Sequence, residues 1–328
     1  MILITGGAGY IGSHVVIKFI ENNYDILIFD NLENGHMETI ESLKKIGSVT
    51  FEKGDLRNIE DIDKVFAKYK IDGVLHFAAF ALVGESVENP AKYYRNNCLG
   101  TLNLIDTLVK YGCNKIVFSS TCATYGNLQY TPIDENHPQN PINPYGASKL
   151  MVERMLKDYD KAYGLKSVIL RYFNVAGADS FARVGEWHNP ETHLVPNILK
   201  SVVDKTKLIK VFGTDYDTPD GTCIRDYVNV EDLANAHMLA FKYLVRENTS
   251  NIFNLGTENG DSVKHVLEVC EDVLNQKLPV EIADRRPGDP PILFANAKKA
   301  KNILGWTPQK TLKDSISSAY EWEKKLNN

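Results

Sequence analysis

The first dozen residues constrain this chain more than any other part of it. Met1-Ile-Leu-Ile-Thr5 is an apolar run too short for a helix. Thr5-Gly-Gly-Ala-Gly-Tyr-Ile-Gly12 follows at once and leads into a segment with helical apolar spacing. Two registers fit, Gly6-x-x-Gly9-x-x-Gly12 and Gly7-x-Gly9-x-x-Gly12. In either, the glycines permit a tight turn and close backbone approach to a pyrophosphate, with helix N-terminal amides facing the anion. A glycine-rich β–α turn can also bind nothing, so a second residue matters. Asp30 closes the next apolar run, 18 residues past Gly12. A carboxylate there can accept both hydroxyls of an adenosine ribose and repels a 2′-phosphate. The pair predicts dinucleotide binding, with NAD favoured over NADP.

The same rhythm continues to about residue 170. Ile2–Thr5, Ile26–Phe29, Val49–Glu52, Gly73–Phe77, Lys115–Phe118 and Ser167–Leu170 are short and rich in Val, Ile, Leu and Phe, as strands buried on both faces should be. Ile59–Lys68 and Tyr93–Lys110 between them carry apolar residues at three- and four-residue spacing, which predicts helices. Alternating β and α predicts a Rossmann-type, doubly wound parallel sheet, an α/β fold with ligands beyond the carboxyl ends of the strands. Asp55-Leu56 and His76-Phe77-Ala78-Ala79 fall at such ends. After about Asn174 the loops lengthen and Pro and Gly recur. We expect an NAD-binding domain over 1–173 and a smaller mixed α/β, substrate-binding lobe over most of 174–328. Val230–Val245 and Asn251–Gly256 again resemble a helix and a buried strand, so segments near 230–256 are expected to return to the first domain.

Composition excludes several classes. The 328 residues are 43% hydrophobic and 24% charged, and 37 Lys and Arg against 42 Asp and Glu leave a net charge of −5. That balance offers no broad basic field for nucleic acid or anionic lipid. No apolar run approaches the roughly 18–20 residues of a spanning helix, and the opening residues lack the pattern of a secretory signal. Five scattered cysteines suggest neither a disulfide framework nor a zinc knuckle. A cytoplasmic protein is expected. The eight histidines include no pair at metal-ligand helical spacing, so no metal site is expected.

Tyr145-Gly-Ala-Ser-Lys149 places a phenol and an ammonium four residues apart, on one helical face. A phenol near pKa 10 is a poor base at neutral pH, and a fixed cation beside it favours phenolate. A hydroxyl from Ser119-Ser120-Thr121, which ends the fifth strand, can hydrogen-bond a substrate oxygen as its proton moves. Alone, such a Tyr/Lys pair is common on solvated helices. After five βα units and a dinucleotide turn it points to catalysis.

These motifs, with Asp30-Asn-Leu32, Gly54-Asp-Leu56, Val83-Gly-Glu-Ser86, Arg171-Tyr-Phe-Asn174, Gly221-Thr-Cys-Ile-Arg-Asp-Tyr227, Arg286-x-Gly-Asp289 and Leu304-Gly-Trp306, resemble the extended short-chain dehydrogenase/reductases. Within them, the chain resembles the UDP-glucose 4-epimerases from end to end. The resemblance implies interconversion of UDP-galactose and UDP-glucose through a 4-keto sugar on tightly held NAD, with Tyr145 as the base, Lys149 supporting it and Thr121 binding the sugar oxygen. Many relatives carry Ser at the Thr121 position. It implies further that Gly6, Gly9, Tyr10, Ile11, Gly12, Asp30, Asn31, Leu32, Glu33, Asn34, Gly35, Asp55, Leu56, Phe77, Ala78, Ala79, Phe80, Ala81, Asn96, Thr121, Tyr145, Lys149 and Phe173 line the cofactor. Thr121, Tyr145, Asn174, His193, Leu194, Lys210, Val211, Phe212, Arg225, Arg286, Asp289 and Leu293 would hold the UDP-sugar. Arg225 suits a diphosphate because its planar fork can engage two oxygens; it can equally pair with Asp226 or Asp289.

The resemblance also implies a homodimer joined through the helix near 93–110 and the Tyr145 helix. Two departures stand out: Ala81 replaces a lysine found in some relatives, and Leu293 replaces a tyrosine that walls the sugar's 2-position. The smaller leucine suggests activity on UDP-N-acetyl sugars as well. A nucleotide-sugar 4,6-dehydratase is the nearest rival, but such enzymes usually carry an Asp-Glu pair after the hydroxyl residue, where this chain has Cys122-Ala123. A UDP-glucuronate decarboxylase and an NAD-occupied binding module are weaker alternatives, the latter because it needs no activated phenol.

Overall fold

A computed structural model describes residues 1–203, 208–286 and 289–327. Its centre is a seven-stranded sheet. In chain order the first six strands are β1 (Ile2–Thr5), β2 (Ile26–Asp30), β3 (Val49–Lys53), β4 (Gly73–His76), β5 (Lys115–Thr121) and β6 (Lys166–Tyr172). Asn251–Leu255 adds the seventh beside β6. The spatial order is 251–255, β6, β5, β4, β1, β2, β3, and every neighbouring pair is parallel.

Strand alternation feeds two cores. Ile2, Ile4, Ile26, Ile28, Val117, Val168 and Leu170 face one cluster, shared with Val15, Val16 and Phe19 of helix α1 (Tyr10–Glu21) and with the helix Val230–Glu247. Leu3, Leu27, Phe29, Ile116, Phe118 and Ile169 face the other, with Ile62 and Phe66 of helix α3 (Ile59–Lys68), Leu104 of Gly100–Lys110 and Val152 of Pro144–Tyr163. Period-two alternation across a sheet covered on both sides explains why each strand is apolar at every position. Helix α2 (Met37–Lys44) joins β2 to β3. β3 departs from the expectation: its residues are only partly buried, because it is the edge strand and has one neighbour. The predicted helix over 93–110 is present but interrupted. Tyr94–Leu99 forms a π-helical turn between the α-turn Pro90–Tyr93 and Gly100–Lys110.

The smaller lobe has its own core. Val195, Ile198 and Leu199 pack with Val211, Val266, Cys270, Ile316 and Ala319. Its strands are short: Ile209–Phe212 pairs with Val280–Ala283, and Ile224–Arg225 lies between Asp261–Ser262 and Ile292–Leu293. The parallel pair Asn174–Ala176 and Tyr227–Asn229 leads from β6 toward the lobe. Among the described residues, no helix is long and apolar enough to cross a membrane.

One buried ion pair ties the Tyr145 helix to the sheet. Arg171 of β6, 2% exposed, holds Glu153 through Nε at 3.0 Å and Nη2 at 2.6 Å. Ser120 donates to Glu153 at 2.5 Å, Gln139 at 3.0 Å, and Arg171 also donates to the Tyr125 hydroxyl at 3.0 Å. Removing one member of such a pair leaves a buried charge without compensation. Arg171→Leu should therefore lower unfolding free energy by about 3–5 kcal/mol, as measured by urea denaturation.

Candidate active site

The strand order reverses between β1 and β4, so a crevice opens where Gly6 and Phe77 leave the sheet. Gly6 has φ +72°, and a Cβ on it would stand 2.6 Å from the Ala78 amide nitrogen. A Cβ on Gly12 would stand 2.2 Å from the Gly6 carbonyl oxygen. Those two glycines are required by packing. Gly9 is different: its nearest neighbour would be the Gly6 oxygen at an ordinary 3.4 Å. The fold itself gives Gly9 no steric reason to lack a side chain, and a Cβ would occupy the space in front of the helix. Gly9 is also the N-cap of α1 and brings no side chain to cap it. The first helical amides have no intrahelical partner, which suits an anion at that point.

Asp30, 8% exposed, accepts the Ala8 amide at 3.0 Å and the Leu32 amide at 2.8 Å. Burial raises its pKa, and the two amides act against that rise. Leu32 adopts φ +61°, a conformation that costs a residue with a Cβ about 1–3 kcal/mol. Asn31 donates to Asp55 at 3.0 Å, and Arg57 bridges Asp55 and Glu33 at 2.5 and 2.8 Å. Arg57 is the largest cause of an Asp55 pKa near 2. Leu56 is buried against the 100–110 helix side of the sheet. Asp30, the Asn31–Gly35 turn, Asp55 and Leu56 thus share one edge of the crevice.

Phe77, Ala78, Ala79, Phe80 and Ala81 leave β4 along the opposite edge. Phe80 is clamped by Asn97, which accepts its amide at 2.9 Å and donates to its carbonyl at 3.0 Å. Asn97 also donates to Ser148 on the Tyr145 helix at 3.0 Å. The π-turn carries both asparagines: Asn96, expected at the cofactor, is partly exposed, whereas the buried Asn97 positions the loop. Sequence reading passed over Asn97 because an apolar-spacing pattern does not register a buried amide. Phe173, just beyond β6, is buried with Tyr125, Ile133 and Ala295. Ala81 is exposed and offers no charge, so no lysine reaches the crevice from that position.

Thr121, Tyr145 and Lys149 meet at the carboxyl end of β5. Asn143 caps the Tyr145 helix, accepting the Gly146 amide at 2.8 Å, with Pro144 in its first turn. Lys149, 4% exposed, donates to the Ser119 carbonyl at 2.7 Å. Burial brings its pKa down to about 7. Burial, helped by Tyr172, also holds the Tyr145 phenol above its ordinary value, and the Thr121 hydroxyl acts in the other direction. Desolvation thus acts on Lys149 against the simple charge argument, which by itself would keep the ammonium protonated. Tyr172, hydrogen-bonded to Ser119, is a second phenol at the site that sequence reading passed over.

The residues expected to hold the nucleotide sugar lie mostly on the smaller lobe. Arg225 donates to Asp289 at 2.8 Å and to the Ile224 carbonyl at 2.8 Å, not to Asp226. Asp226 is instead buried beneath, accepting from Thr257 and Ala295, and burial raises it to about 6. Leu293 lies in register beside Arg225 and packs on the Phe173 cluster. The Arg286 guanidinium sits 3.9 Å from the Phe212 ring centroid, so Phe212 is more than plain core. Lys210 is exposed, but Val211 turns into the lobe's core and presents only backbone elsewhere. Asn174 begins the strand after β6. His193 is bound to the Glu186 carboxylate just before Leu194 opens its helix. Pro287 and Gly288 of the Arg286–Asp289 run lie outside the described residues.

A family model described as GDP-mannose 4,6 dehydratase matches residues 3–319. A UDP-glucose 4-epimerase from Rhizobium leguminosarum bv. trifolii is 48% identical over 326 residues, 99% of this chain and 98% of the relative. The chain belongs to the UDP-glucose 4-epimerase family. Among solved structures, the UDP-glucose 4-epimerase of Brucella ovis in complex with NAD matches with TM-score 0.92 at 43% identity, over 98% of this chain and 97% of that one. The UDP-Glc/GlcNAc 4-epimerase of Campylobacter jejuni matches with TM-score 0.87 at 43% identity, over 99% of both chains. The dehydratase name of the broader model does not fit the chemistry at β5. Thr121 is followed by Cys122 and Ala123, not by a carboxylate pair, and burial pushes the Cys122 thiol up.

The glycine contrast is directly testable in this epimerase-family chain. Gly12→Ala should destabilise the fold by about 1–3 kcal/mol through overpacking. Gly9→Ala should melt like the parent yet bind NAD at least about tenfold more weakly, a loss of about 1.4 kcal/mol, measured by calorimetric titration.

Proposed function

We propose that the protein is an NAD-dependent UDP-glucose 4-epimerase that interconverts UDP-galactose and UDP-glucose through a 4-keto sugar. The observation that carries this reading is the intact Thr121, Tyr145 and Lys149 set in a chain related over nearly its full length to such enzymes. Residues 1–173, with segments near 230–256, form the cofactor-binding part, and the rest of 174–328 forms the substrate lobe. The crevice fits a dinucleotide: Gly9, Tyr10 and Ile11 receive the pyrophosphate, Asp30 the adenosine ribose, Asp55 and Leu56 the adenine side, and Phe77–Ala81, Asn96 and Phe173 the remainder. NAD held there supplies the group that takes up a hydride and returns it.

The chain's own residues move the proton and orient the sugar. Tyr145 withdraws the proton of the sugar 4-hydroxyl and later restores it on the other face. Thr121 holds the oxygen on which charge changes, and Lys149 favours phenolate once it carries a proton. Arg225 and Arg286 grip the diphosphate, while Asn174, His193, Leu194, Lys210, Val211 (through its backbone), Phe212 and Asp289 fix the nucleotide. A firm hold there leaves the hexose free to turn its opposite face. Leu293, smaller than tyrosine, leaves room at the sugar's 2-position, which supports additional turnover of UDP-N-acetylglucosamine.

The deciding experiment incubates the purified protein, with no added nucleotide, separately with UDP-galactose and UDP-N-acetylglucosamine, and identifies products by NMR. The expected products are UDP-glucose and UDP-N-acetylgalactosamine without net NADH. A 4-keto-6-deoxy product would move the assignment to a dehydratase, and absent turnover of the N-acetyl sugar would overturn the Leu293 argument. Tyr145→Phe should lose at least about 100-fold in kcat, the lower range of general acid–base contributions, while retaining bound NAD.

A cytoplasmic location and a homodimer complete the proposal. Leu99 of the π-turn and Met151 of the Tyr145 helix, both exposed apolar residues on helices already packed together, favour an interface there. Gel filtration with light scattering should give twice the 36.9 kDa chain mass; a monomer at micromolar concentration would remove this part of the reading.

A further inference from the structure

The loop before the Leu194 helix gathers four groups, of which the proposed epimerase reading uses only His193. Glu186, His188, Glu191 and His193 each offer a ligand atom, and these atoms all lie within 4.8 Å of one another. The sequence gives an E-x-H-x-x-E-x-H spacing that no helix would converge. A loop does so here because Trp322 donates to the Glu186 carbonyl at 2.9 Å and the Trp187 ring stacks on His36 at 3.8 Å. Glu186 Oε1 is hydrogen-bonded to His188 Nδ1 at 3.1 Å and also to His193 Nδ1.

Glu191 supplies the independent observation. Its side chain is only 4% exposed. Oε1 accepts the amides of Thr192 and His193 at 2.8 and 2.9 Å. Oε2 is buried and, among the described residues, accepts no hydrogen bond. It points to the cluster, 3.9 Å from His188 Nδ1. The Lys200 ammonium stands 3.6 Å from it, beyond hydrogen-bonding distance, on a side chain still partly open to solvent. A buried carboxylate oxygen with no hydrogen-bond donor relies on the positive charge facing it, here the Lys200 ammonium, which a bound cation would replace.

We infer that Glu186, His188, Glu191 and His193 form a site for one divalent transition-metal ion of the zinc type. Two imidazole nitrogens and two carboxylate oxygens make a four-donor set of that class. The two carboxylates balance the ion's charge. Ligand distances of about 2.0–2.2 Å place tetrahedral donors roughly 3.3 Å apart, so closure needs only a modest contraction of the present group. The ion would take over from the Glu186–His193 hydrogen bond, and Lys200 would swing outward. Because the His188 ring lies 6.2 Å from that of Tyr10, the ion would brace the entrance of the Leu194 helix against the glycine-rich turn.

The test uses the full chain with its cofactor, stripped with a chelator, reloaded with zinc chloride and passed through gel filtration before elemental analysis. The parent should retain one zinc per chain and melt at a higher temperature with zinc than without it. His188→Ala and Glu191→Gln should each bind at least about tenfold more weakly. Glu191→Gln keeps an oxygen for the Thr192 and His193 amides, so its loss of zinc would report ligation and not misfolding. Cobalt in place of zinc should give the visible absorption of a tetrahedral site. Retention below about a tenth of an equivalent, or equal retention by parent and both variants, would overturn the inference. Neither result bears on epimerisation, which is read by sugar products.

Discussion

A sheet buried on both faces can be approached only along its strand ends, and everything functional in this chain follows from that restriction. Ile2, Leu3 and Ile4 serve two cores in alternation, as do Ile26, Leu27 and Ile28. The buried inner strands β1, β2 and β4 leave no face open to a ligand, whereas the edge strand β3 is partly open. The residues that matter therefore collect at or just past the carboxyl ends, at Gly6, Asp30, Asp55, Phe77, Thr121 and Phe173. Because the order reverses between β1 and β4, the crevice lies where two loops part and not where they cross.

Catalytic geometry depends on a second constraint, the attachment of the Tyr145 helix to β5 and β6. Glu153 sits two turns beyond Tyr145 and is held by Arg171 and Ser120. Ser120 immediately precedes Thr121, and Tyr172 follows Arg171. One buried pair thus sets the distance between the phenol, the hydroxyl and the strands that carry them. Asn97 does similar work on the other side, linking the Phe80 loop to Ser148. These polar contacts act in a low-dielectric interior, where a satisfied network holds a unique arrangement.

Sequence reading succeeded where a local pattern has a single structural meaning. Ile2–Thr5, Ile59–Lys68 and the helix from Val230 were legible because apolar period and turn residues agree there. It was less successful where context decides. β3 reads like a buried strand, yet it lies at an edge, and no residue within Val49–Lys53 encodes the absence of a neighbour. The π-turn at Tyr94–Leu99 inserts into an amphipathic run whose spacing fits an ordinary helix. Arg225 had two carboxylates within plausible reach in sequence, and only strand pairing chose Asp289 over Asp226.

The glycine-rich turn, Asp30, and the Tyr145 and Lys149 pair are determined by the sequence, since each is a short spacing whose chemistry survives any plausible βα arrangement. Their ionisation is not. Lys149 comes down to about 7 and the Tyr145 phenol rises because the crevice removes water from both, a property of burial and not of spacing. The same holds for Glu186, His188, Glu191 and His193. As a string they match no helical ligand pattern, and convergence arises only when the loop is pinned by Trp322 and His36. Local periodicity is written residue by residue, whereas desolvation and long-range convergence exist only once distant segments have packed.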